Sequence, residues 1–318
     1  MKRKKWIFRL IGIAILVYLV ITMDIHQYLS HFRNLSYIEL VLAVLLVLLI
    51  YFLKSFRWKL LLQSQNINYP YRDTFLSFTS SNFIAFITPG RLGEFAKIIY
   101  LKNDLGISVS KSVSSVITDR LFDVYILLFF GLYGILITGI GSRLLVVGFV
   151  TVCLFIPFLL FNKNLLDKWV ALISRLPFIS RIISSRGEGV RQFKEGFLQL
   201  VSIRLIPSGI ISIASYLLLY IAAWFIAGSL DMQLNLLNII LVVSVANILS
   251  FLPISVSGLG TREAVFVFFL SRIGYTSEQA LVFSTLFFFC FYIVGGMYGY
   301  ICFMIKPISL SLLRKQIK

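Results

Sequence analysis

The chain has 318 residues, of which 59% are hydrophobic and only 14% are charged. Soluble domains have roughly a quarter of their residues charged, so this composition indicates an integral membrane protein. The net charge of +17 does not favour a nucleic-acid partner, because the basic residues are dispersed in the connections between apolar runs, where the positive-inside rule places them. We therefore expect one polytopic, all-α membrane domain over residues 1–318, with no nucleic-acid binding.

The cysteines and histidines give no sign of a metal site. Cys153, Cys290 and Cys302 lie singly in apolar runs without CxxC spacing, and His26 and His31 share one short connection. Isolated cysteines of this kind are typical of small core residues. We expect neither a metal nor a cofactor.

Six full membrane spans are expected in chain order. Basic residues precede the first apolar run, but no small-residue cleavage signal follows it, which favours a retained span over a signal peptide. The spans cover about 6–23 and 37–53, then two segments ending near 140 and 161, then about 206–228 and 278–305. Residues 162–204 form a basic, cytoplasmic amphipathic loop that either lies on the membrane surface or only sets the topology.

A break in the apolar pattern predicts a first re-entrant hairpin at about 74–102. Residues 74–86 would form a helix of about 20 Å, too short for a hydrocarbon core of about 30 Å. Pro89 and Gly90 end that helix, and a second short helix follows at 91–101. Broken backbone at membrane depth is tolerated only inside protein or a water-filled cavity.

A second re-entrant hairpin is predicted at about 236–271, where breakers again separate two short helices. The 16-residue spacing from Gly90 to Gly106 recurs from Gly258 to Gly274. Three spans separate the hairpins, so hairpins that return to their own side must enter from opposite faces, as in an inverted repeat. Lys and Arg are concentrated in the connections that this topology places in the cytoplasm, together with both termini.

The two hairpin tips carry the residue types that a lipid headgroup site needs. The candidates are Gly90, Arg91, Gly93, Glu94, Gly258, Gly260, Arg262 and Glu263. The glycines allow close approach, the arginines suit phosphate, and a helix N-terminus adds partial positive charge. The glutamates either pair with the arginines, meet a cationic headgroup or carry a proton, or they only cap their helices.

Three charged residues and two asparagines are candidates for lining or coupling the cavity. Asp119 and Asp123 share one helix face, with Arg120 about 100° away. Two acids on one face need a partner, and an arginine from a hairpin is one candidate; an interfacial ion pair that anchors the helix is the alternative. Asn82 and Asn247 either line the cavity or satisfy the broken backbone.

The motifs Arg91–Glu94, Asp119–Asp123 and Ser257–Glu263 resemble those of the lysylphosphatidylglycerol synthase transmembrane-domain family, over about 40–303. The resemblance implies a lipid-translocating domain with two re-entrant helices about a central cavity. The aminoacyl-transferring soluble domain of the full-length synthases is expected to be absent, and no nucleophile or nucleotide motif is present, so we do not expect an enzyme.

The expected function is that of a flippase or transporter in the cytoplasmic membrane, moving a phospholipid or other phosphate-bearing headgroup. The expected partners are anionic or zwitterionic membrane lipids. A homo-oligomer or a lipid-synthesis partner remains open. The alternative is a non-transporting lipid-binding accessory protein of a lipid or glycolipid synthesis pathway.

Overall fold

The computed structural model describes residues 14–33, 35–88, 90–139, 146–148, 150–151, 187–200, 205–251 and 258–308, and these residues form helices and turns without a strand. Residues 14–22 are helical, and we label ten of the described helices that follow. They are α1 (Ile25–Ser30), α2 (Tyr37–Ser64), α3 (Tyr71–Phe86), α4 (Ala96–Leu105), α5 (Val109–Thr138), α6 (Gly187–Leu200), α7 (Leu205–Ser229), α8 (Leu236–Phe251), α9 (Thr261–Ser271) and α10 (Ser277–Ile305).

Four of the described helices, α2, α5, α7 and α10, are long and apolar enough to cross a membrane. They correspond to four of the six expected spans. The first expected span is described only over residues 14–22, and the fourth only at a few helical residues between 146 and 151. Most of the expected loop at 162–204 also lies outside the described residues.

Two of the long helices extend well beyond the expected spans. Helix α2 does not end near residue 53 but continues to Ser64. Helix α5 begins at Val109, after Ser108 caps it by accepting from the Lys111 N–H. The hydroxyls of Ser112 and Ser115 donate to carbonyls three or four residues back, which satisfies the polar face inside the helix. Charged residues expected at helix ends therefore lie within the bundle.

The first predicted hairpin is a pair of packed short helices. Helix α3 has 16 residues and measures about 24 Å, and after the break a 3₁₀ turn at Leu92–Phe95 leads into α4. Lys306 Nζ lies 2.5 Å from Asp73 Oδ1 in α3 and 2.6 Å from Asp104 Oδ2 in α4. Both open ends of the pair therefore meet the end of α10; we call this side of the bundle the Lys306 end.

The second predicted hairpin, α8 and α9, opens toward the other side of the bundle. The backbone N–H of Ser36 donates to the Ser229 carbonyl at 3.1 Å, which joins the start of α2 to the end of α7. The indole N–H of Trp224 reaches the Leu234 carbonyl just before α8, at 3.1 Å. We call this side the Ser229 end, and the two helix pairs enter the bundle from opposite ends.

The core lies where the second pair meets the long helices. Residues 239–246 of α8 are all buried, and α8 packs along α5 and against α9. Helix α10 changes to π geometry at Phe289–Val294, and such segments often occur at functional sites. Downstream, Gly299 lies so close to α3 that a Cβ would approach the Thr79 carbonyl, which permits tight packing of α10 on the first hairpin.

Helix α6 is amphipathic, as expected for part of the basic loop, and its apolar face is covered by protein. Phe193 and Phe197 pack with Val113 and Val116 of α5. The side-chain amide of Gln65 donates to the Gly196 carbonyl at 3.0 Å. Helix α6 is thereby docked near the ends of α2 and α5, at the Lys306 end.

Candidate functional site

Eight charged side chains meet inside the helix bundle, and we call them the charged cluster. They are Lys54, Arg57, Arg91, Glu94, Lys97, Asp119, Arg120 and Asp123. Five are cations and three are carboxylates, so the cluster has a formal surplus of two positive charges. Because a buried charge without a partner costs several kcal/mol, this surplus needs a physical reason.

One arginine of α2 holds both acids of α5. The Nε and Nη2 atoms of Arg57 donate to Asp119 Oδ1 at 2.9 and 2.5 Å, and Nη1 donates to Asp123 Oδ1 at 2.8 Å. Arg57 and Asp119 are fully buried. Charge-assisted bonds from one rigid guanidinium fix α2 against α5 with little angular freedom.

Two lysines complete the neutralisation of these acids. Lys54 Nζ lies 3.1 Å from Asp123 Oδ1, and Lys97 Nζ lies 2.7 Å from Asp119 Oδ2. The Lys97 ammonium also sits 4.4 Å from the centroid of the Phe78 ring, a cation–π contact that offsets part of its desolvation. Asp119 and Asp123 are therefore each paired with more than one cation.

Glu94, in the 3₁₀ turn after the first tip, joins that tip to α5. Its side chain is 1% exposed and forms an ion pair with Nη2 of Arg120. Arg91 Nε lies 3.3 Å from Glu94 Oε1, and Lys97 Nζ lies 3.6 Å from Glu94 Oε2. Three cations surround Glu94 and compensate its negative charge, so this carboxylate is not open to a cationic ligand.

Arg91 occupies an uncommon backbone conformation at the tip. Its φ is +55°, in the left-handed region that costs a non-glycine residue about 1–3 kcal/mol. Its Nη2 donates to Asn82 Oδ1 at 3.1 Å, and its guanidinium carbon lies 5.4 Å from the Phe86 centroid and 5.8 Å from that of Phe251. These contacts hold the guanidinium in place.

The cluster opens into a cavity of about 70 Å³, which we call the cationic cavity. Its polar lining consists of Lys54, Asn82, Arg91, Arg120, Asp123 and Asn247. The side chains of Lys54, Arg91 and Arg120 keep 17–18% exposure, whereas Asp123 keeps 3%. The cavity has room for several water molecules and presents mainly positive charge.

The Arg120 guanidinium has two nitrogen atoms, Nε and Nη1, that are buried and have no hydrogen-bond partner within the described part of the chain. Buried donors are nearly always satisfied in native proteins, by protein, water or ligand. The unpaired N–H groups of a cavity-lining arginine are therefore suited to an oxygen-bearing anion.

The second tip lies in a different cavity, of about 160 Å³, lined by Arg262 and Glu263 and by residues between 16 and 23. Arg262 pairs with Glu263, and its guanidinium carbon lies 4.9 Å from the Phe288 centroid and 5.1 Å from that of Tyr292. Tyr292 also lines the cationic cavity. Arg91 and Arg262, which are expected to share one cavity, therefore line two separate cavities among the described residues, and Tyr292 of α10 lies beside Arg262 while lining the cationic one.

The structure changes the expected pairing of the α5 charges. A hairpin arginine was one candidate partner of Asp119 and Asp123, beside an anchoring ion pair; the structure pairs these acids with Arg57 of α2 and with a hairpin lysine, Lys97. Arg120 is not isolated from the acids: it contacts Glu94, and its Nη2 lies 3.8 Å from Asp123 Oδ2. The helix rotation that separates Arg120 from the two aspartates aims it at the hairpin tip.

The remaining predicted residues are placed as follows. The side chains of Asn82 and Asn247 line the cationic cavity, and their amide N–H groups donate to carbonyls four residues back within their own helices, not to the backbone at the breaks. None of the four tip glycines is among the described lining residues of either cavity. A Cβ on Gly93 would clash with Ile84 and Ala85, so this glycine permits close packing of the hairpin arms.

Glu263 also caps a helix. Its Oε2 accepts from the Gly260 N–H at 2.6 Å, at the start of α9. Gly258 and Gly260 adopt positive φ at this tip, as Gly90 does at the first.

Three cluster residues were missed by sequence reasoning: Lys54, Arg57 and Lys97. The first two were expected where α2 leaves the membrane. The apolar residues after them, including Trp58 and Leu61, were the available signal that the helix continues through the bundle. Within the described residues, no group of three His, Cys, Asp or Glu side chains is arranged to hold a metal ion.

The chain is similar to known proteins over nearly its whole length. The family model for the lysylphosphatidylglycerol synthase TM region matches residues 8–299. A UPF0104 membrane protein of Methanocaldococcus jannaschii is 26% identical over 289 residues, which cover 83% of this chain and 84% of that protein. Both helix pairs and the whole charged cluster lie within the range that the family model matches.

Proposed function

Because the chain belongs to the lysylphosphatidylglycerol synthase TM-region family and is a multi-pass membrane protein, we propose that it is a lipid flippase or transporter. In this proposal a phosphate-bearing lipid headgroup crosses the cytoplasmic membrane through the cationic cavity. The observation that carries the proposal is the lining of that cavity by three partly exposed cations within a cluster that has surplus positive charge.

Phosphate recognition follows from the chemistry of these side chains. Guanidinium groups bind phosphate oxygens through paired N–H donors, and the lysine ammonium adds a point charge. Arg91 and Arg120 both reach the cavity from the first tip and from α5. A phosphate between them would use the unpaired Arg120 donors and offset part of the surplus charge.

We further propose that the two helix pairs are re-entrant hairpins that enter from opposite membrane faces, within a topology of six spans. Support comes from their opening toward opposite ends of the bundle and from their lengths: α8 is about 24 Å long and α9 about 17 Å. A crossing needs about 30 Å. The Lys306 end is cytoplasmic in this proposal, consistent with its basic residues.

The second cavity gives the headgroup a further cation on the side of the Ser229 end. Arg262 lines it, and one guanidinium nitrogen, Nη1, is buried without a hydrogen-bond partner in the described part of the chain. Phe288 lines this second cavity, while its stacked neighbour Tyr292 lines the cationic one. In our proposal a headgroup passes this aromatic pair between the two hairpin tips by alternating access.

A leaflet-accessibility assay tests the proposal. The purified chain is reconstituted into liposomes with a fluorescent phosphatidylglycerol, and the fraction open to a membrane-impermeant quencher is followed with time. We expect protein-dependent translocation, slowed about 10- to 100-fold by Arg120→Gln or Arg91→Gln, as for the loss of a charged hydrogen bond of about 1.5–3 kcal/mol.

The matched control is Arg191→Gln, because Arg191 lies on α6 with its side chain 70% exposed. Unchanged translocation in both Arg91→Gln and Arg262→Gln would contradict the headgroup role of the two tips. Headgroup binding by the wild type without any translocation would instead identify a lipid-binding accessory protein.

A further inference from the structure

We propose that the cationic cavity selects a headgroup with two negative charges, as in a phosphomonoester lipid, over zwitterionic and aminoacylated headgroups. This inference rests on the proposed function, since it names the headgroup chemistry of the same cavity. Three features of the cavity carry it: its charge balance, its lack of a free carboxylate and the occupation of half of its aromatic rings by cations of the protein.

The charge balance favours a dianion. The charged cluster has two more cations than carboxylates, and the three cations with exposed surface all face the cavity. Residues 252–257, which follow Phe251, contain no ionisable side chain, so this tip does not change the balance. A ligand with two negative charges neutralises the surplus, whereas a single negative charge leaves half of it.

Among the described residues, the cavity offers no free carboxylate to an ammonium group. Asp123, its only lining carboxylate among the described residues, already accepts from Lys54 and Arg57. Glu94 is 1% exposed and enclosed by cations. An amine on the headgroup would therefore meet positive charge without a compensating partner.

Cations already occupy three of the six aromatic rings that line the cavity among the described residues. Aromatic faces can hold quaternary ammonium groups, but Phe86 lies 5.4 Å from the guanidinium carbon of Arg91, Phe78 lies 4.4 Å from the ammonium of Lys97, and Tyr292 lies 5.1 Å from the guanidinium carbon of Arg262. At any of these three rings, a choline group would have to displace a cation.

Headgroup chemistry then predicts an order of affinity. A phosphomonoester carries about −1.5 to −2 charges at pH 7, with a second pKa of about 6. A phosphodiester such as phosphatidylglycerol carries one negative charge, and phosphatidylcholine is neutral. Lysyl-phosphatidylglycerol carries a net positive charge, because its two amines outweigh its phosphate. The expected affinity falls in that order, from phosphomonoester to aminoacylated lipid.

Competition binding on the full chain in an uncharged detergent tests this order. The probes are phosphatidic acid, phosphatidylglycerol, phosphatidylcholine and lysyl-phosphatidylglycerol with identical acyl chains. We expect phosphatidic acid to bind at least about tenfold more tightly than the last two. Raising the pH from 5 to 7.5 should strengthen binding of phosphatidic acid but not of phosphatidylglycerol, since only the former loses a second proton. Arg120→Gln should reduce the differences in affinity among the four lipids, and Arg191→Gln should leave them unchanged.

Equal affinity for all four lipids, or a preference for the aminoacylated lipid, would overturn the inference. If such a non-selective protein still translocates lipid, the proposed function survives alone; if the dianion is selected without translocation, the inference survives alone. Inorganic phosphate is the source control: competition as strong as that of phosphatidic acid would show that the ligand is a free anion, which would overturn the lipid assignment.

Discussion

The side chains of Arg57 and Asp119 form a fully buried ion pair, with 2.5 Å between Arg57 Nη2 and Asp119 Oδ1. The same guanidinium also binds Asp123, so a single residue of α2 fixes both acids of α5. Of these three residues, Asp123 lines the cationic cavity. The network fixes α2, which carries Lys54, against α5, which carries Arg120, and so positions two of the cations that line the cavity.

Replacing Arg57 by methionine should destabilise the protein strongly. The change leaves two buried carboxylates with weaker compensation, and breaking one partner of a buried pair typically costs about 3–5 kcal/mol. Thermal unfolding in detergent measures the effect. Arg191→Met, at an exposed position of α6, should change the free energy of unfolding by no more than about 0.5 kcal/mol. Equal stability of the two variants would show that Arg57 does not hold the cluster together.

Gly93→Ala should disrupt the first hairpin. The new Cβ would clash with backbone atoms of Ile84 and Ala85 in α3. Overpacking costs about 1–3 kcal/mol, and we expect the upper end because backbone atoms cannot rotate away. Gly148→Ala is the matched control, since a Cβ there meets nothing within 4 Å. Similar melting temperatures for both variants would contradict the close packing of the hairpin arms.

Lys306→Ala should loosen the open end of the first hairpin. Partial burial alone would lower the pKa of Lys306, but hydrogen bonds to Asp104, Asp73 and Tyr69 raise it above its ordinary value of 10.5. A raised pKa means that the stabilisation is fully present below 10.5 and is lost only as the pH rises through the higher folded value. The loss on mutation should therefore be the same at pH 6 and pH 9.

Lys306→Ala should lower the free energy of unfolding by about 1 kcal/mol, because the side chains of Lys306, Asp73 and Asp104 keep 20–36% exposure and are screened by solvent. Thermal unfolding at both pH values, with the exposed Arg72→Ala as control, measures it. A loss that differs between pH 6 and pH 9 would show that another titrating group controls this contact.

The long helices and the breaks between the short ones were predictable from sequence because local chemistry determines them. Apolar run length predicts the long helices, and breakers after a short apolar run predict where a helix ends; the re-entry of the two short pairs stays a prediction. Gly90 and Gly258 indeed occur at positive φ. What failed was the position of the helix ends: Lys54 and Arg57 were read as the exit from the membrane, although α2 continues to Ser64.

The composition of the site was less predictable because it depends on packing between distant elements. The acids of α5 share one face by helical periodicity alone, but their partner lies 62 residues earlier in the chain, at Arg57. Likewise, the similarity of the two tips suggested one shared site. Arg91 and Arg262 instead line different cavities, and Tyr292, which lies beside Arg262, belongs to a π segment, which an ordinary apolar pattern does not reveal.

Single-cysteine labelling should show that each hairpin returns to its own side. Gln233 precedes α8 and Ser271 ends α9, and both are exposed; an impermeant maleimide should label Gln233→Cys and Ser271→Cys from the same face. Arg72→Cys and Ser108→Cys, which flank the first hairpin, should react only from the opposite face. Ser229 is a poor site for such labelling, because it is 1% exposed.

The experiment uses a variant in which the native cysteines are replaced. Cys290 and Cys302 are free thiols, although buried, and their removal ensures that the label reports only the introduced cysteine. Labelling of Gln233→Cys and Ser271→Cys from opposite faces would mean that the second pair crosses the membrane. The second pair would then not be a re-entrant hairpin, and the inverted repeat would be lost. The cationic cavity could remain an anion site in that case, but Arg262 could not receive the headgroup from the other leaflet, and alternating access between the two tips would have to be abandoned.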